Sequence, residues 1–209
     1  MKKILVFDFD GVLFDTMTLV NQSTMELFPS LTEEMARELL VGNLYEELEK
    51  IAHLRVQHTE EEKLRWREEY SKKKAEAPMF AGAKAMLEEL HTAGYILVLN
   101  TTASNQNCLP LLEKAQITGL FDFLATKDVS KSKIEKFKLI EERYGISSNE
   151  MLFVTDSLGD LRESDIAGVP TIAVLWGVHD RGYFTREEHP NLIGIVESFD
   201  ELVKLIGGR

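Results

Sequence analysis

A chain of 209 residues with 44% hydrophobic and 28% charged residues has the make-up of a soluble globular protein with a core. Its net charge of −11 argues against nucleic acid or an anionic membrane as the main partner, because both need basic surface. The single cysteine, Cys108, excludes an intramolecular disulfide and fits a reducing compartment.

The first element is the apolar run ILVF, residues 4 to 7, with the composition of a buried strand. The apolar part of MKKILVFDFDG is too short for a signal peptide, and no later run reaches membrane-spanning length, so a cytoplasmic protein is expected. Residues 16 to 78 hold no strand pattern. They show helical spacing instead, as in Met35, Leu39 and Leu40, or Leu44, Leu48 and Ile51. EEEKLRWREEYSKKKAEA reads as a charge-laced helix, and its Lys72–Lys74 run, neutralised by preceding glutamates, reads as a solvated face.

From residue 79 onward strands and helices alternate. Ala85, Leu87 and Leu90 mark a helix stopping at Gly94, before the strand YILVLN at 95 to 100. FDFLAT (121 to 126) precedes a helix through Phe137, Ile140 and Tyr144, closed by Gly145. MLFVTD (151 to 156) precedes a short helix through Leu161, Ile166 and Ala167, closed by Gly168 and Pro170. TIAVLW (171 to 176) and LIGIV (192 to 196) complete the set. This order predicts an α/β fold with a parallel sheet covered by helices on both faces. Residues 1–15 and 79–209 form its Rossmann-like core, with a helical unit, 16–78, inserted after the first strand.

Three strand ends carry the chemistry. Side chains alternate along a strand, so Asp8 and Asp10 can share a side while Phe9 points away, and Gly11 allows a sharp turn. Two like charges there are unfavourable without a cation. A calcium loop beginning at Asp8, Asp10 and Asp15 lacks the later glutamate and the flanking helices. YILVLN runs into Thr101 and Thr102, and MLFVT runs into Asp156, Ser157 and Asp160. In a doubly wound sheet such ends line the ligand crevice. Thr101, Ser104 or Asp160 could instead cap helices. Together the acids suggest a magnesium site beside a phosphate-sized anion. Lys131 and Lys133 are the nearby candidate cations. The five histidines show no metal-ligand spacing, and Cys108 reads as a quiet helix residue.

DFDGV, Thr101, a lysine before a helix and the acids of TDSLGD follow the order of the four motifs of the haloacid dehalogenase-like (HAD) hydrolase superfamily. The chain resembles that family over nearly its whole length, and MFAGAKAMLEELHTAGYILVLNTTASNQNCLPLLEKAQITGLFD is similar to its phosphoglycolate-phosphatase-like members. The resemblance implies that Asp8 is the nucleophile and Asp10 the general acid and base. It implies that Thr101, Thr102 and Lys131 hold the phosphoryl group, with Lys133 the alternate lysine because the usual Lys-Pro pair is missing. Asp8, Asp10 (through its main-chain carbonyl) and Asp156 would bind Mg2+, with Asp160 supporting the metal or the lysine. Asn100 and Thr155 depart from the usual apolar residue and glycine.

The implied activity is hydrolysis of a small phosphomonoester, a phosphorylated metabolite, through an aspartyl-phosphate. A phosphosugar mutase or a non-catalytic phosphate-binding scaffold is the alternative. The unit 16–78 corresponds to a helical cap, with Gly42, Asn43 and Tyr45 as substrate candidates. Arg37, Arg55 and Arg65 could meet a second anionic group.

Overall fold

The computed structural model describes residues 4–208. After β1 (Ile4–Phe7) come four helices: α1 (Met17–Leu27), α2 (Glu33–Glu38), α3 (Leu44–Lys50) and α4 (Glu60–Lys74). α5 (Ala83–Thr92), β2 (Ile96–Asn100), α6 (Asn105–Lys114) and β3 (Phe123–Ala125) follow. The chain continues through α7 (Lys133–Tyr144), β4 (Met151–Thr155), α8 (Leu158–Ala167) and β5 (Thr171–Val174). It closes with α9 (Arg181–Phe184), β6 (Leu192–Val196) and α10 (Phe199–Gly207).

The six strands are parallel in the order β3-β2-β1-β4-β5-β6. β1 therefore has β2 on one side and β4 on the other, and the chain's direction of travel across the sheet reverses there. That is the topological switch point of an open α/β sheet, where a crevice forms beyond the strands' carboxyl ends. Phe7 lies opposite Leu99 on β2 and Val154 on β4. Asp8 thus emerges level with Asn100 and Thr155.

The period of two sorts the strand residues between faces. Leu5 and Phe7 join Leu97, Leu99 and Val154 in a core closed by α5, α6 and α10, through residues such as Leu87, Leu112 and Leu202. Ile4, Val6 and Phe153 meet Phe137 and Ile140 of α7 on the other face. Asp8 continues the even-numbered face, so it points to the side that α7 covers. The helix stops at Gly145 and Gly168 use left-handed backbone, with φ of 65° and 71°.

Residues 17–74 contain no strand and lie between two crossings held side by side. Asp15 N–H donates to the Pro78 carbonyl at 2.9 Å, Phe80 N–H to Leu13 at 3.0 Å, and Phe14 bridges to Met79. α4 opens with a complete capping box, Thr59 with Glu62. Its last turn corrects the solvated-face reading of Lys72–Lys74. Lys72 and Lys73 are exposed, but Lys74 is only 2% exposed. No helix among the described residues is long and apolar enough to cross a membrane.

Candidate active site

Two buried lysines, one from each part of the chain, organise the acids. The first is Lys133, whose Nζ lies 3.0 Å from Asp8 Oδ1 and 3.0 Å from Asp160 Oδ2 and donates to the Asn100 carbonyl at 2.8 Å. Lys131, the first choice from sequence, lies elsewhere: its Nζ is 5.2 Å from the Tyr45 ring centre, on the cavity wall. The reason is the register of α7. Ser132 caps the helix and Lys133 is its first residue, on the face with Lys136, Phe137 and Ile140 that packs under Asp8. Lys131 precedes the cap and falls outside that face.

Burial would lower Lys133, but Asp160 and then Asp8 outweigh it and hold the ammonium well above its usual range. Asp8 is raised well above the usual carboxylate range, first by burial, with Lys133 opposing and Asp160 and Asp156 adding. At Asp160 burial also pushes up, but Lys133 and hydrogen bonds, including that from Thr155, prevail and hold it down. Thr155 donates to Asp160 Oδ2 at 2.7 Å and accepts from Ser157 N–H. The residue departing from the usual glycine therefore orients Asp160. Asp160 is turned to the lysine, and Ser157 rather than Asp160 caps α8.

The second lysine is Lys74. Its Nζ approaches both Asp10 oxygens, at 2.7 and 2.8 Å, and Thr16 donates to the same carboxylate. The rings of Phe9 and Tyr70 lie 5.6 and 5.8 Å away. Burial alone would lower Lys74, but Asp10 and then Tyr70 overcome it, so it stays charged. Sequence reasoning missed this pair, although Trp66, Tyr70 and Lys74 at i, i+4 and i+8 share a helix face.

Asp156 lies between Gly11 and Gly177, where a Cβ on either glycine would run into it. Gly11, with φ of 73°, makes the turn that sequence expected there. The Val178 N–H donates to Asp156 Oδ2 at 2.8 Å, and burial pushes this carboxyl up to about 7. Among the described residues no group of three or more His, Cys, Asp or Glu side chains is arranged to hold a metal ion. The four-acid set expected from sequence is thus divided. Asp160 serves Lys133, the Asp10 side chain serves Lys74, and Asp8 and Asp156 remain. Two buried carboxylates plus a main-chain carbonyl still fit Mg2+, which takes few protein oxygens and keeps waters. The tight glycine cradle and the raised Asp156 suit a carboxylate that gains a cation partner.

The 100–103 loop is held from three sides. Lys133 takes the Asn100 carbonyl, Lys136 the Thr101 carbonyl at 2.6 Å, and the Tyr45 hydroxyl the Thr102 carbonyl at 2.9 Å. Burial and then Lys133 lower Lys136 to about 7. Thr101 is fully buried and its hydroxyl accepts from Ala103 N–H, whereas Thr102 lines the cavity.

Gly42, Asn43 and Tyr45 sit at the seam between insertion and sheet. Gly159 can only be glycine, because a Cβ would strike the Gly42 carbonyl. Asn43 caps α3 and donates to Glu163 at 3.1 Å, while Glu163 accepts the Lys133 N–H at 3.0 Å. Tyr45 is raised to about 12 by burial. Arg65 pairs with Glu61, Arg37 is exposed, and Arg55 lines the cavity. Cys108 is buried in α6, its thiol raised to about 11 by burial.

His179, also missed from sequence, latches the seam. Its Nδ1 accepts from Leu158 N–H at 2.9 Å, so Nε2 carries the proton and faces the Arg37 carbonyl at 3.3 Å. The ring stacks on Tyr183 at 4.1 Å. Burial is the main cause that lowers its pKa to about 4. The fold thus holds the neutral ring. That contribution is complete above the unfolded value near 6.5 and is lost as pH falls through about 4, a loss on the order of 3 kcal/mol. Urea unfolding from pH 7.5 to 4 should show this slope in wild type and a flatter one in His179→Gln. Equal slopes would remove His179 as its source.

The model of the haloacid dehalogenase-like hydrolase family matches residues 5–174. The phosphoglycolate phosphatase of Aliivibrio fischeri is 30% identical over 118 residues, 55% of this chain and 52% of that protein. The chain spans about half the length of the first curated relatives it matches. The phosphoglycolate phosphatase of Vibrio parahaemolyticus is 25% identical over 222 residues, 98% of this chain and 96% of that one. The crystal structure of a hydrolase from Pseudomonas syringae shares the fold, with a TM-score of 0.79, 16% identity and 99% of both chains covered.

Proposed function

The chain belongs to the haloacid dehalogenase-like hydrolase family, and from that premise we propose that it is a magnesium-dependent phosphatase, cleaving a phosphomonoester through an aspartyl-phosphate on Asp8. The observation that carries this reading is the buried Asp8–Lys133–Asp160 group at the carboxyl end of β1, with Asp156 in its glycine cradle lining the same cavity as Asp8.

Asp8 attacks phosphorus, and its carboxylate becomes the acyl phosphate. Lys133 holds Asp8 in place beneath the cavity, while Thr102 offers polar atoms from the next strand end. Asp8, Asp156 and the Asp10 carbonyl would hold Mg2+, which when bound neutralises repulsion between the carboxylate and the phosphate. Asp10 takes up a proton from solvent, gives it to the leaving oxygen and then takes one from the hydrolytic water. Its carboxylate is tied to Thr16 and Lys74, so it must swing from Lys74 toward the phosphoryl group to do this. Residues 16–78 act as the cap, and Lys74 couples that unit to the acid it serves.

The direct test is turnover of phenyl phosphate by the purified chain, with Mg2+ and after chelation. Activity should disappear with chelator and return with added Mg2+. Undiminished turnover in metal-free buffer would overturn the metal part of this reading.

A further inference from the structure

The cavity above Asp8, about 770 Å³, has two unlike walls. The insertion brings apolar side chains to one of them, such as Val20, Leu48 and Trp66. The other wall follows the strand ends outward from β1. The loop after β2 presents Thr102 and Ser104, the first turn of α6 presents Gln106, and the segment between β3 and α7 presents Lys127 and Lys131. Among the described residues, none of these five side chains makes a hydrogen bond or an ion pair within the protein. Lys127 is half-buried and Lys131 exposed, and both have one anchor. Each ammonium lies 5.2 Å from the centre of the Tyr45 ring, whose hydroxyl is fixed on the Thr102 carbonyl at 2.9 Å. An aromatic face steadies an ammonium and leaves its charge intact.

The carboxylates around the two lysines are turned to other groups. Asp128 Oδ2 accepts the Asn105 N–H at 2.6 Å, and Glu135 accepts the Ser130 hydroxyl. Glu163 accepts from the Asn43 amide and the Lys133 N–H. Glu46 and Glu49 share an adjoining hollow with Lys131, and neither pairs with it. In a chain of 35 acidic and 24 basic residues, two cations held at one ring without a carboxylate are suited to an anion from outside. Position decides where that anion sits. β3 is two strands from β1, about 10 Å across the sheet at the usual spacing. A phosphoryl group at Asp8 is therefore joined to the lysines only by a leaving group several atoms long. Hydroxyls along it would meet Thr102, Ser104 and Gln106. The carboxylate of phosphoglycolate, held on a two-carbon ester, falls short of that span.

We propose that the ester cleaved here carries a second anionic group at the far end of its leaving group, bound by Lys127 and Lys131 while the phosphoryl group rests at Asp8. The inference rests on the phosphatase reading above. The experiment measures kcat/KM with Mg2+ for the monophosphates and bisphosphates of ethanediol, butanediol and hexanediol, with phenyl phosphate as reference. Phosphonooxy carboxylates of matching length form a second arm, so that the gain in each arm identifies the terminal group as phosphate or carboxylate. Beyond the statistical advantage of two equivalent ends, the second anion should raise kcat/KM by about 10- to 100-fold in the butane and hexane members. That is the scale of one hydrogen bond to a charged group, and the ethane member should gain little. Added salt should shrink the gain. In the double variant Lys127→Gln with Lys131→Gln, the ratio of each two-anion ester to its matching monophosphate should collapse. A ratio that survives in that variant would move the second anion elsewhere on the wall, to Arg55 and Arg67, and overturn this inference. Absence of any gain in wild type beside measurable phenyl phosphate turnover would also overturn it and leave the phosphatase reading standing. Absence of turnover on every ester with Mg2+ present would remove both.

Discussion

Asp8→Asn should reduce phenyl phosphate turnover on the order of 10⁵–10⁶-fold, the scale of deleting a covalent nucleophile. The amide keeps the shape and removes the attacking oxygen. The fold should survive, since the substitution deletes an acid that burial already disfavours in its charged form, and Asp160 still pairs with Lys133. Asp10→Asn makes the contrast. It leaves the nucleophile and impairs proton transfer, so about 10²–10⁴-fold is expected. Rapid quench with 32P-labelled substrate separates the two: Asp10→Asn should trap label on protein, and Asp8→Asn should trap none. Near wild-type turnover in a folded Asp8→Asn would require another nucleophile.

Lys133→Met should be the most damaging substitution for stability in the site. The lysine is fully buried between Asp8 and Asp160, and without it two carboxylates face each other without a cation. Breaking a buried pair from one side typically destabilises by about 3–5 kcal/mol. The loss should be larger at pH 8 than at pH 5, where protonation of the carboxylates relieves the repulsion. Turnover should fall as well, because the same ammonium holds Asp8. Lys131→Met should change stability little, since it removes no buried pair. Urea unfolding and phenyl phosphate kinetics on both variants decide between the lysines. A larger effect at Lys131 would restore that residue to the role first read from the sequence.

The strands, and helix ends such as Gly145 and Gly168, were legible from sequence because they depend on local patterns. Apolar runs of a buried parallel strand, breaks at glycine and the 3.6-residue spacing are written in neighbouring residues. Asp8, Asp10, Thr101, Asp156 and Asp160 were visible for the same reason. Asp8, Thr101 and Asp156 each follow a strand directly, with Asp10 and Asp160 a few residues on, and a parallel sheet brings its carboxyl ends together whatever the details of packing.

What only the tertiary structure decided are the partners. Choosing between Lys131 and Lys133 depends on where α7 begins and which of its faces packs beneath β1, a matter of one or two residues that local propensity does not fix. Lys74 looked like one of three solvated lysines because the glutamates that seem to neutralise it are close in sequence. In the fold its partner is Asp10, 64 positions away, and burial makes that pair far stronger than surface neighbours. Glu163 and His179 carry no motif, and their importance arises from what each meets across the insertion seam, the Asn43 amide and the Arg37 carbonyl. The apolar side chains of the insertion belong to the same class. Helical spacing shows that a stripe exists, but only the placement of α1, α3 and α4 shows that the stripe lines a cavity above the acids. Local sequence dictates which side chains a segment presents, whereas packing at long range determines what each one meets.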